Sequence, residues 1–76
     1  MTAIEPSEPQ DPKISFGQKL RFFRLEKGLS QEQLGLLAGI DRTYISDCEA
    51  GRRNTSLDLI HRFAQALQIE PWELLK

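Results

Sequence analysis

From Phe16 onward, apolar residues recur at spacings of three and four, and nowhere do they alternate singly as a half-buried strand requires. Phe16, Leu20 and Phe23 fall on one face of a first helix. Ser15 with Gln18 has the spacing of a capping box at its start, and Gly28 stops it, with Lys27 in the last turn where a cation suits the macrodipole. Ser30 with Gln33 repeats the box and opens a second helix that runs to about Ala38. Leu34, Leu37 and Ala38 point inward from it, and Gly39 ends it. A third helix extends from Asp41, as N-cap, to Ala50, with Ile45 and Cys48 facing the core and Gly51 as a left-handed stop. The polar turn Arg52-Arg53-Asn54 leads to a fourth helix starting at Thr55 or Ser56, whose stripe is Leu57, Ile60, Phe63, Ala64 and Leu67. Pro71 suits the first position of a short fifth helix ending near Leu75. The pattern predicts an all-α, five-helix domain over residues 13–76.

Residues 1–12 follow another rule. Pro6, Pro9 and Pro12 stand among acids with almost nothing apolar, a composition that cannot repay the entropy of ordering, so a flexible acidic tail is expected. The tail also distorts the charge. Glu5, Glu8 and Asp11 precede the first cation, Lys13, so the overall net charge of -1 conceals a domain with ten Lys/Arg against eight acids, a net +2. That excess is weak, and any attraction to nucleic acid has to come from where the cations sit.

Composition removes other classes. The 76 residues suffice for one small domain with a limited core. No apolar stretch approaches the ~20 residues that span a bilayer, and the N-terminus lacks the basic start and apolar run of a secretion signal; a cytoplasmic protein without membrane contact is expected. Cys48, alone, forms no intrachain disulfide and reads as a small buried hydrophobe. One Cys and one His, His61, cannot close a zinc site, and no glycine-rich phosphate loop is present, so neither metal nor cofactor is expected. No nucleophile lies in a pattern with a base, which argues against an enzyme.

The informative stretch runs from Ser30 to Ser46. Two short capped helices meet at a tight turn containing Gly39, which lets the chain reverse without a Cβ penalty and leaves the N-terminal half of the second of them projecting. A helix fits the DNA major groove, where Arg42 can fork onto guanine, Thr43 can offer its hydroxyl or methyl group, and Tyr44 can stack or hydrogen-bond. Ser46 and Asp47 lie a turn further along; a carboxylate is unfavourable near phosphates but can accept from cytosine N4. Phosphate contacts are expected at Gln31, on a helix N-terminus that favours anions, and at Arg52, Arg53 and Asn54.

Ser30-Gln31-Glu32-Gln33-Leu34, Gly39-Ile40, Tyr44-Ile45-Ser46, Glu49 and Gly51-Arg52-Arg53 resemble the helix-turn-helix family of phage repressor and Cro proteins. Asp41-Arg42-Thr43-Tyr44-Ile45-Ser46 with Arg53-Asn54 looks like the controller proteins of bacterial restriction–modification systems. The resemblance implies a lambda-repressor-like domain that dimerises through its C-terminal helices and binds a symmetric double-stranded DNA operator. It also implies a buried ion pair between Arg24 and Glu49. Gly35 departs from it, standing mid-helix where the family has Ala, at a propensity cost of about 1 kcal/mol. Ala50 departs too, where many relatives carry a cation.

Two copies double the sequence that one small domain can read. Leu59, Ile69, Trp72, Leu74 and Leu75 offer an apolar surplus for that interface, although Trp72 can instead cap the monomer's own core. Activation would further require a surface for RNA polymerase, and no residue pattern identifies one. The competing class is a protein-binding module such as an antitoxin, which has no need of Arg42-Thr43-Tyr44 unless it also binds an operator.

Overall fold

The computed structural model describes residues 11–76. Four α-helices follow one another: α1 (Pro12–Glu26), α2 (Gln31–Ala38), α3 (Arg42–Glu49) and α4 (Leu57–Leu67). The expected fifth helix is a single 3-10 turn, Pro71–Leu74. No strand occurs among the described residues.

Helix α1 begins a turn earlier than the pattern predicts. Asp11 is its N-cap, accepting from the Lys13 backbone N–H at 2.9 Å, and Pro12 occupies the first helical position, where its missing N–H is no loss. Ser15 therefore lies inside the helix rather than capping it, and the helical domain includes Asp11 as cap and Pro12; residues 1–10 of the expected tail lie outside the described residues. The other starts are set locally as expected. Ser30 and Gln33 form a reciprocal capping box, with Oγ accepting at 3.0 Å and Oε1 at 2.8 Å. Asp41 caps α3, and Ser56 rather than Thr55 caps α4, accepting from Leu59 N–H at 3.2 Å. Gln68 ends α4 in the left-handed region at φ +58°, a geometry that costs a non-glycine residue about 1–2 kcal/mol.

The core joins Phe16 and Leu20 of α1, Leu34 of α2, Ile45 and Cys48 of α3, and Ile60, Phe63, Ala64 and Leu67 of α4. Burying each large apolar side chain contributes about 1.5–3 kcal/mol. Three expectations are corrected here. Leu74, assigned to an interface, is fully buried in this core, because the 3-10 turn folds back against α1 and α4. Leu57 is 80% exposed, one turn before the stripe meets its cover at Ile60. Leu37 is 61% exposed, because the buried face of α2 runs through Leu34 and Gly35 and leaves Leu37 on the flank.

Two glycines explain how α3 is seated. A Cβ on Gly17 of α1 would lie 2.3 Å from the Cys48 carbonyl oxygen, and one on Gly35 of α2 would lie 2.6 Å from that of Ile40. Gly35 is thus a requirement of close backbone approach, which outweighs the mid-helix cost foreseen from sequence. Cys48 is fully buried with its Sγ 3.4 Å from Thr55 Oγ1, and burial pushes its thiol pKa up.

Candidate nucleic-acid interface

The turn between α2 and α3 is held by three local devices. Gly39 takes φ +71°, which reverses the chain. The N–H groups of Gly39 and Ile40 both donate to Gly35 O, at 2.8 and 3.0 Å. Arg62, from α4, donates to Gly39 O at 3.2 Å and braces the turn from the side. With Ile45 and Cys48 fixed in the core, the opposite face of α3 is held outward at a set angle.

Arg42 and Thr43 stand exposed at the start of that face, Ser46 is half-buried one turn on, and Tyr44 is half-buried with part of its ring packed on the core. Arg53, from the turn after α3, places its guanidinium carbon 4.7 Å from the Tyr44 ring centroid, an attractive cation–π geometry. Asp47 uses both carboxylate oxygens within the molecule: Oδ1 accepts from Arg52 Nη1 at 3.1 Å, and Oδ2 lies 3.6 Å from Arg53 Nε. It is therefore tied to the two arginines rather than held open toward a base. Asn54 is exposed beside them.

Beneath this face lies a second, buried set. Glu49 accepts from Arg24 Nε at 2.6 Å and from Nη2 at 2.9 Å, and Arg24 Nη1 donates to Leu29 O at 2.8 Å. Their side chains are 9% and 4% exposed, so the ion pair implied by resemblance is both present and buried. The hydrogen bonds that Arg24 donates to Glu49 raise the Arg24 pKa, against the opposing effect of burial. Gln31 joins this set, its Nε2 donating to Glu49 Oε1 at 3.1 Å. Its side chain is thus engaged with Glu49, while the first backbone N–H groups of α2 remain at that end, the feature on which the expected phosphate contact at Gln31 rests.

The expected interface residues at the C-terminus separate. Trp72 and Leu75 are 57% and 56% exposed, Leu59 and Ile69 are half-buried, and Leu74 is enclosed. Lys76 Nζ sits 5.0 Å from the Trp72 ring centroid. No helix among the described residues is long and apolar enough to cross a membrane.

Sequence reasoning missed the pairing of Asp47 with both arginines, the stacking of Arg53 on Tyr44, the Gln31–Glu49 bond and the brace from Arg62. Only a mid-helix glycine at position 35 hinted at any of this tertiary geometry.

Comparison with known proteins follows the same outline. A family described as helix-turn-helix matches residues 20–74. The control protein C.BamHI of Bacillus amyloliquefaciens is 48% identical over 64 residues, spanning 83% of this chain and 79% of its own length. The crystal structure of the restriction–modification controller protein C.AhdI from Aeromonas hydrophila superimposes with a TM-score of 0.80 at 53% identity, covering 82% of this chain and 94% of that one. A hypothetical transcription factor from Neisseria, NHTF, gives a TM-score of 0.85 at 37% identity, covering 100% of this chain and 87% of its own.

Proposed function

This chain belongs to the helix-turn-helix family and is a DNA-binding transcription regulator homologous to restriction–modification controllers, and from that premise we propose that it binds a two-fold symmetric operator as a homodimer and controls restriction–modification genes. The observation that carries this reading is the outward N-terminal turn of α3, where Arg42 and Thr43 stand exposed on a helix whose opposite side is locked in the core. Placed in the major groove, Arg42 forks onto guanine O6 and N7, while Thr43, Tyr44 and Ser46 take the neighbouring base edges or methyl groups. Arg52, Arg53, Asn54 and the backbone N–H groups opening α2 grip the phosphates on either side.

One such helix reads only a few base pairs, and a second copy supplies the missing selectivity. Trp72 and Leu75 remain exposed next to half-buried Ile69, an apolar area suited to a self-complementary two-fold contact.

Selection of bound duplexes from random DNA tests the proposal. The expected product is an inverted repeat whose half-sites lie about 10 base pairs apart, centre to centre, or a multiple of that. A selected pool with a single unrepeated site, or with no preference, refutes it. Sedimentation of Trp72→Ala is expected to shift the protein toward monomer; an unchanged distribution removes Trp72 from the interface.

A further inference from the structure

Asp47 is the feature that the operator-binding reading leaves unexplained. It lies on the outward face of α3, four residues from Thr43, where it would sit close to DNA. A carboxylate there repels phosphate, so its presence opposes binding to any duplex. The structure shows where its charge goes. One carboxylate oxygen is 3.1 Å from Arg52 Nη1 and the other is 3.6 Å from Arg53 Nε. The Asp47 side chain is 28% exposed.

We propose that Asp47 is an internal substitute for DNA phosphate, which occupies Arg52 and Arg53 in the free protein and so weakens binding to DNA that is not the operator. The inference rests on the reading that α3 enters the major groove. The arginine side chains are 67% and 48% exposed, and ion pairs this open to water are weak enough to exchange for phosphate. On a random duplex an arginine reaches phosphate only by leaving Asp47, and the freed carboxylate then faces the DNA without a partner. No base contact offsets that loss. On the operator, contacts from Arg42, Thr43 and Tyr44 form at the same moment and offset it. Arg53 also has a resting place over the Tyr44 ring, 4.7 Å from its centroid, so that leaving Asp47 uncovers a reading residue as well. Discrimination thus comes partly from repulsion against wrong sequences as well as from attraction to the right one.

Asp47→Asn tests this, because it removes the charge and keeps the shape. Affinity for a scrambled duplex is expected to rise about tenfold, affinity for the selected operator to rise less, and the ratio between them to fall at least about threefold. The salt dependence on the scrambled duplex should steepen by about one unit in log–log slope, as one more phosphate is neutralised. In an Arg52→Ala, Arg53→Ala background the same substitution should keep only the part of its effect that comes from carboxylate–phosphate repulsion and should no longer steepen the salt slope, since no arginine remains to be released. Thermal unfolding of each variant confirms that the fold is intact; a purely structural role for Asp47 would lower both affinities together and leave the salt slope unchanged, which overturns the proposal. So does a fall in discrimination that arises only from weaker operator binding, which would make Asp47 a base reader. A wild-type protein with no preferred duplex overturns both this inference and the operator reading; a wild-type preference left untouched by Asp47→Asn overturns the inference alone.

Discussion

Glu49 and Asp47 stand two residues apart on one helix, each holding arginine, yet they point to opposite faces of that helix, one toward the interior and one outward. Glu49 and Arg24 are nearly sealed from water and meet in a two-pronged geometry, with Gln31 and Leu29 O completing the set. Asp47 meets two arginines by one contact each, at longer distances and in the open. In the first set neither charge can be removed without stranding the other in a dry interior. In the second, water and phosphate can replace any partner. Burial, rather than the kind of ion pair, separates a fastening of the fold from a contact available for function.

The sharpest way to break this contrast is at the buried set. Glu49→Ala leaves the Arg24 guanidinium uncompensated and is expected to destabilise the protein by about 3–5 kcal/mol, read as a lowered midpoint in urea. A loss under ~1 kcal/mol would show that the pair is solvated and the contrast false. At the outward face, Arg42→Ala should leave stability nearly unchanged but lower operator affinity by about 1–3 kcal/mol and relax preference at one base pair; titration of each base variant by fluorescence anisotropy measures this. Arg52→Ala should move stability by no more than ~0.5 kcal/mol, the mirror image of Glu49→Ala, while flattening the salt dependence of DNA binding by about one unit if its contact is to phosphate. The smallest effect concerns a third, more exposed carboxylate. The Lys13 backbone N–H bond holds the Asp11 pKa below its ordinary value, with a lesser contribution from the Lys13 side chain against slight burial. Because the folded-state value is the lower one, the cap is fully effective above the ordinary carboxylate pKa and is lost as pH falls through the depressed value. The Lys13 amide resonance should titrate in that lower range and its protection from hydrogen exchange, relative to the unstructured rate at the same pH, should fall there, without global unfolding.

What could be read in advance was what neighbouring residues decide among themselves. The capping box of Ser30 and Gln33, the Asp41 cap and the reversal at Gly39 depend on residues within four positions, and all are legible as sequence. Ser15 with Gln18 is ambiguous because the same spacing recurs inside a helix, while the stronger signal, Asp11 followed by Pro12, lies within a proline-rich stretch. Leu74 and Leu75 look alike as apolar letters, yet a tight terminal turn buries one and exposes the other. The arginines were legible as candidates for DNA, but their attachment to Asp47 crosses the end of α3 and depends on how the next turn folds back. Interactions spanning a helix end or joining separate helices left no periodic trace.

The close approaches at Gly17 and Gly35 bear on how such a protein acquires new targets. Main chain meets main chain at both ends of α3, so the angle at which this helix is offered is set by its neighbours and by Ile45 and Cys48, independently of the letters it displays. Positions 42, 43 and 46 can then be rewritten as a cassette, with the chassis that carries them left as it is.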